Sequence, residues 1–217
     1  MFVLGAGGLG SPVLTYLGAA GVGEIAFADH DRVELSNLNR QVLYTEADLG
    51  RSKAAVAHGR LAAFNPDIRW LAHAEPLTAA LAGSLLPGCD VAVDCADNHA
   101  ARSILAAAAQ RAAVPVIHGA VAGFEATVGV FDSCSGPCFA CVSPAAAEMG
   151  EPPPVLGAAV GVVGCLMATE TIRLLCGIGP DRRGQLLLVD LERGTFDWVK
   201  AEKRPGCPIC GLAPVGS

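Results

Sequence analysis

The run FVLG (2–5) leads straight into GAGGLG (5–10), and the residues that follow are helical in character as far as Gly21. A G-x-G-x-x-G spacing that ends a strand and opens a helix brings backbone N–H groups close to a phosphate, and the helix N-terminus favours the negative charge. The motif by itself also suits a ligand-free strand–helix turn. What narrows the reading is the next strand, EIAFAD (24–29), which ends on Asp29, near the spacing of a ribose-binding acid.

The rest of the chain repeats the alternation. Residues 51–64 read as a helix stopped by NPD (65–67), and IRWLAH (68–73) as a third strand. DVAVDC (90–95) reads as a buried strand, followed by a helix from Asn98 to Ala113 and by strands PVIHGAV (115–121) and ATVGVFD (126–132). Such alternation predicts an α/β fold, a Rossmann-like, doubly wound, mostly parallel sheet. Beyond it, 133–154 is irregular and rich in Pro, Gly and Cys, and a long apolar helix is expected over about 156–176. QLLLVDL (185–191) and TFDWVKAE (195–202) predict a C-terminal antiparallel hairpin around ERG. With no internal repeat, residues 1–217 read as one domain with a crossover segment at about 133–154 and a tail at 203–217. A chain of 217 residues is long enough for one sizeable core.

Composition excludes several classes. The net charge is −6 and no basic tract appears, which argues against nucleic-acid binding through a general electrostatic footprint. Residues 1–28 carry no basic segment of the kind that opens a secretory signal. The apolar stretch from Val155 to Thr169 falls short of the roughly 20 residues a membrane span needs, so a core or subunit-contact helix is expected. Nine cysteines without a signal sequence point to reduced thiols or metal ligation in a cytoplasmic protein.

In a parallel sheet Asp29 shares one edge with Asp94, Asp97 and Asn98, at the end of the strand DVAVDC, and with the glycine loop. Acids beside phosphates suggest a bridging Mg²⁺, although Asp97 also suits a helix cap. Arg51 and Lys53 fall in the first turn of the expected second helix, where cations oppose the helix dipole unless an anion is bound. A dehydrogenase has no evident use for Arg40, Lys53 and Asp97; a nucleoside triphosphate does. Separately, Cys138/Cys141 and Cys207/Cys210 form two C-x-x-C pairs, the mark of a tetrahedral Cys₄ structural zinc site that would clip the tail to the irregular segment. A redox pair or simply reduced thiols remain open on spacing alone.

These motifs, in this order, resemble the ThiF/MoeB/HesA family, bacterial relatives of ubiquitin-activating enzymes. The likeness runs from Phe2 to Gly211 through GAGGLGSP, DHDRVELSNLNRQ, GRSKA, VDCADN, both C-x-x-C pairs and VLGAAVGVVGCLMATETIRLL. It implies ATP-dependent adenylation of the C-terminal glycine of a ubiquitin-like sulfur-carrier protein ending in Gly-Gly. It implies that Gly5, Gly7, Gly8 and Gly10 hold phosphate and that Asp29 binds ribose. Ser36, Asn37, Leu38, Asn39, Arg40, Lys53, Asp97 and Asn98 would line the nucleotide. Arg40 and Lys53 would act on the transition state and Asp97 would hold Mg²⁺. A homodimer is implied as well.

Two departures shape the expectation. Many relatives carry a cysteine in the crossover loop; here the equivalent position falls near Gly150, and no cysteine lies between Cys141 and Cys165. A separate sulfur donor is therefore expected, with Cys95, Cys165 and Cys176 as buried apolar residues and Cys89 and Cys134 near loops. Relatives usually carry a helical segment ahead of the first strand, which often brings an arginine to the partner subunit's ATP site, whereas Met1 here abuts the strand. Alternatives are a carrier-binding scaffold without chemistry, a relative activating a carboxylate on tRNA, and an NAD-binding oxidoreductase.

Overall fold

A computed structural model describes residues 1–132, 136–143 and 155–211. The expected crossover segment and the end of the tail, with Cys134 and the region of Gly150, lie largely outside the described residues. Strand and helix alternate as β1 (Phe2–Leu4), α1 (Gly10–Ala19), β2 (Glu24–Ala28), α2 (Lys53–Phe64) and β3 (Arg69–His73). They continue as α3 (Ala79–Leu85), β4 (Ala92–Asp94), α4 (His99–Ala112), β5 (Val116–Ala122) and β6 (Glu125–Phe131). A one-turn helix α5 (Phe139–Val142) and the long α6 (Gly157–Cys176) precede β7 (Gln185–Asp190) and β8 (Thr195–Lys200).

The strands form one sheet in the order β3-β2-β1-β4-β5-β6-β7-β8. The first five are parallel: β1 pairs with β2 and β4, β2 with β3, and β4 with β5. From β5 onward the sheet is antiparallel. The antiparallel portion is therefore larger than the hairpin expected from sequence. β6 turns back on β5 through Gly123, whose φ of 62° suits a tight reversal.

Alternation within the short strands explains the double winding. Val3, Ile25, Phe27, Val93 and Ile117 join one apolar cluster with residues of α1, α2 and α6. Their neighbours Phe2, Leu4, Ala26, Ala28, Ala92 and Val116 join a second cluster with α3, α4 and α5. Both faces are covered, so the parallel strands read as continuous apolar runs.

α6 is longer than the uninterrupted apolar stretch. It continues through Glu170 and Arg173, which pair across one turn at 2.5 Å, so the charges do not end it. With a mean hydropathy of 1.6 it is long and apolar enough to cross a membrane by length and composition. It lies against α1, β5 and β6, burying Ala159, Val160, Val163, Met167 and Ala168.

Candidate functional site

β1 lies between β2 on one side and β4 on the other, so the strand order reverses between β1 and β4. Ligands of open α/β sheets bind at the carboxyl ends of the strands at such a switch point. The glycine loop leaves β1 there, and residues 95–98 leave β4 beside it. The two loops touch: a Cβ on Gly5, which has a φ of 91°, would sit 2.9 Å from the Cys95 carbonyl oxygen, and one on Gly10 would collide with the Gly5 carbonyl.

Both polar groups of Ala6 are held by buried side chains. Its N–H donates to Asp29 Oδ2 at 2.8 Å, and its carbonyl accepts from the Tyr44 hydroxyl at 2.7 Å. The other Asp29 oxygen accepts from the Asp31 N–H at 2.9 Å. Burial raises the Asp29 pKa, and the Ala6 and Asp31 amides pull it back. Asp29 thus shapes the glycine loop as well as standing where a ribose-binding acid is expected. The Tyr44 hydroxyl also lies 3.4 Å from the Lys53 carbonyl, tying the loop to the first turn of α2.

Lys53 is buried, its side chain 5% exposed, and its Nζ donates to Asp31 Oδ2 at 2.9 Å. An ammonium has three donors, and Asp31 is its one side-chain partner among the described residues. Arg51 takes a different place. Ser52 caps α2, so Arg51 lies ahead of the helix, exposed and bonded to Asp48 at 2.9 Å. Of the two cations whose placement the sequence makes unfavourable, Lys53 is the one held inside.

Residues 35–37 form a short 3₁₀ turn that buries Asn37 and leaves Ser36 exposed. Leu38 packs partly into the core, and Arg40 Nη1 donates to the Ser36 carbonyl and to Asn39 Oδ1, each at 2.9 Å. The stem of Arg40 lies against Gly8, where an added Cβ would meet its Cγ at 3.7 Å. Gln41 is buried against Gly7, and its Oε1 has no hydrogen-bond partner among the described residues. The polar run 36–41 therefore folds over the glycine loop.

Asp97 and Asn98 are exposed at the end of β4. Asn98 caps α4 by accepting from the Ala101 N–H at 2.9 Å, and its Nδ2 donates to Asp97 Oδ1 at 3.4 Å. The capping role considered for Asp97 thus belongs to Asn98. Asp94, which the sequence groups with the edge acids, points away from the edge and is 2% exposed. It accepts from the Ala96 N–H at 3.1 Å and from His118 Nδ1 at 2.7 Å. Burial lowers the His118 pKa, and the hydrogen bond to Asp94 opposes that shift. Among the described residues, no hydrogen bond or ion pair joins Asp97 to Arg40 or Lys53; the strand ends and the glycine loop bring these residues to one edge.

The sulfur atoms of Cys138, Cys141, Cys207 and Cys210 lie within 4.8 Å of one another. Cys138 and Cys207 are 3.7 Å apart, and Cys141 and Cys210 are 3.3 Å apart. Tetrahedral bonds of about 2.3 Å place sulfurs just under 4 Å apart, so the four residues fit a zinc ion. Burial raises the Cys138 thiol; burial also pushes Cys207 up, but amide hydrogen bonds from Cys210 and Ile209 together with the Cys141 and Cys210 side chains hold it down at about 6. Cys95 is buried, Cys165 and Cys89 are half-buried, and Cys176, expected in the core, is exposed at the last position of α6, where the helix runs out of sheet to cover.

Asp31, Tyr44, Arg102 and His118 were not singled out in the sequence. Asp31 alone carried a signal, the D-x-D spacing of the polar motif. Tyr44 and His118 act through contacts 38 and 24 residues away in the chain, and Arg102 through the carbonyl of Ala96, where no motif marks it.

The model of the ThiF family matches residues 1–209. The "Sulfur carrier protein adenylyltransferase" of Thermus thermophilus is 42% identical over 222 residues, covering 98% of this chain and 82% of that protein. The "SAMP-activating enzyme E1" of Haloferax volcanii is 41% identical, covering 99% of this chain and 81% of that protein. The "Adenylyltransferase and sulfurtransferase MOCS3" of Bos taurus is 39% identical, and this chain spans 48% of its length. Among solved structures, Escherichia coli MccB with ATP superposes with a TM-score of 0.83 at 23% identity, covering 97% of this chain and 65% of that one, and shares the fold.

Proposed function

The chain belongs to the ThiF family, and from that premise we propose that it uses ATP to adenylate the C-terminal glycine carboxylate of a ubiquitin-like sulfur-carrier protein. The observation that carries this reading is the edge where the glycine loop meets the buried Lys53 and the exposed Asp97. Relatives at about 40% identity bear the names of carrier adenylyltransferases and activating enzymes. We take residues 1–217 as one adenylation unit, working in the cytoplasm as a homodimer.

A carboxylate oxygen of the carrier attacks the α-phosphorus of ATP, the bond from that phosphorus to its bridging oxygen breaks, and pyrophosphate leaves with the electron pair. Two anions must meet, so the barrier is largely electrostatic. Asp29 and Tyr44 occupy both polar groups of Ala6, which leaves the amides of Gly7 and Gly8 for phosphate oxygens. Lys53 turns its remaining donors to the phosphates, and Arg40, with its stem against Gly8, adds a second cation. Ser36, Asn37, Leu38 and Asn39 complete the wall around the nucleotide. Asp97, with Asn98 beside it, would hold Mg²⁺, which neutralises charge on the leaving pyrophosphate. Zinc in the cysteine cluster is structural, because all four positions are filled by protein. With no cysteine between Cys141 and Cys165, the acyl-adenylate passes to a separate sulfur donor.

ATP–pyrophosphate exchange with Mg²⁺, with and without carriers ending in Gly-Gly, tests the reading. Exchange that depends on one carrier supports it and names the partner. Carrier binding without exchange in the intact protein supports the scaffold alternative instead. Lys53→Ala and Asp97→Ala should each lower exchange about a hundredfold or more with the fold intact; exchange at the wild-type rate removes that residue from the mechanism. A covalent carrier–enzyme adduct in intact-mass spectra would overturn the separate donor.

A further inference from the structure

The cysteine cluster and the nucleotide edge are joined by one side chain. Phe139 lies between Cys138 and Cys141, and its ring packs on His118 at 4.7 Å and His99 at 5.3 Å between centroids. The guanidinium carbon of Arg102 stands 5.6 Å from the centre of the same ring. Each of these three residues grips the loop that leaves β4. Arg102 donates to the Ala96 carbonyl through Nε at 3.0 Å and Nη2 at 2.6 Å. His118 holds Asp94, whose other oxygen takes the Ala96 N–H. His99 is the residue after Asn98 and is hydrogen-bonded to Ser143 at 3.3 Å, at the end of α5.

We propose that Phe139 is a positioning residue through which the cysteine cluster holds the Cys95–Asn98 loop of the nucleotide site in its binding shape. α5 has four residues and no side-chain cap, too few to hold a helix without tertiary support. Its anchors are Cys138 and Cys141, the ring itself and the Ser143–His99 hydrogen bond. The cavity among Asp94, Arg102, Val116, Phe131 and Phe139 is only about 10 Å³, so the contact is close-packed and a shift of the ring reaches its neighbours. With the cluster filled, the ring is pinned against His99, Arg102 and His118, and Ala96 has both polar groups satisfied from behind. Asp97 and Asn98 then leave a rigid base. With the cluster empty, α5 loses two of its anchors, and the loop that carries Asp97 opens more often.

The proposal rests on the assignment of Asp97 and Asn98 to the nucleotide, and the experiment separates the two. Hydrogen exchange of residues 95–98, metal content, and ATP affinity with and without Mg²⁺ are compared for zinc-loaded wild type, chelated wild type and Phe139→Leu. Leucine keeps apolar volume and removes the ring face. Where Phe139→Leu retains its zinc, the loop should exchange about tenfold faster and bind Mg²⁺–ATP about tenfold more weakly, with magnesium-free ATP changed less than about threefold. Chelated wild type should show the same acceleration. A merely structural phenylalanine would lower Tm and leave the loop's exchange and the magnesium-dependent part of binding in place. Should Phe139→Leu shed its metal, Phe139→Met, which also keeps apolar volume without the ring face, replaces it with the same expectation. Wild-type exchange in the zinc-loaded variant, or after complete chelation, overturns the proposal. Failure of the wild-type protein to bind ATP would overturn the functional assignment, while the exchange data still decide the coupling.

Discussion

At the scale of the residue, the proposed nucleotide edge depends on side chains that hold backbone. Tyr44 is the clearest case. Removing its hydroxyl in Tyr44→Phe leaves the buried Ala6 carbonyl with only the long contact to the Ser11 hydroxyl at 3.5 Å, at a cost of about 1–2 kcal/mol. We expect lower stability in urea and weaker ATP binding by calorimetry, with the loss in affinity rather than in turnover. His118 makes a second expectation. Burial depresses its pKa below the unfolded value of about 6.5, so it folds neutral. Its contribution is present in full above that value and is lost as pH falls through the lower, folded one. Between pH 7 and pH 5 the wild type should therefore lose more stability than His118→Gln, as measured by denaturant titration; equal losses would show that His118 is not the group responsible. Asp29, Lys53 and the glycines were legible because their residue types are unusual at those positions. Tyr44 and His118 were not, because a single tyrosine or histidine in an apolar run carries no periodic or motif signal.

At the scale of the element, caps and strand ends set the geometry. Asn98 caps α4 and is proposed to stand at the nucleotide edge, and substitution can part the two roles. Asn98→Ser keeps a capping oxygen, whereas Asn98→Ala loses about 1 kcal/mol of stability with it. If Asn98 also serves the nucleotide, both variants should bind Mg²⁺–ATP more weakly while only alanine lowers Tm; serine binding at the wild-type level would confine Asn98 to capping. The element boundaries follow the sequence closely, since NPD, Ser52 and Asn98 are chemically explicit stops and starts. α6 too keeps to the expected span of about 156–176, and Glu170 and Arg173 pair across one turn where it continues past Thr169.

At the scale of the whole molecule, the cysteine cluster closes the fold by joining residues 69 apart in sequence. Its members form a small buried group of their own, with Ala140 and Ile209, outside both faces of the sheet. Chelation should therefore free the tail from Ala201 to Gly211 before it melts the sheet. We expect a proteolytic cut in that tail and a Tm several degrees lower, since loss of a structural metal removes binding energy that belongs to folding; an unchanged tail would show that the cluster carries no metal in the native protein. The sequence by itself determined the alternating fold class, the glycine turn, the paired cysteines and the polar run over residues 36–41. These are written in local periodicity and in residue types whose chemistry has few uses. The tertiary structure alone decided which acid is exposed and which is buried, since Asp94 closes β4 against His118 while Asp97 stands in the loop beyond it. It alone decided that Lys53 is enclosed while Arg51 is not, and that one phenylalanine bridges the cysteines and the nucleotide loop. Those outcomes depend on packing between segments far apart in sequence, where distance and burial, and not residue type, choose each group's partner.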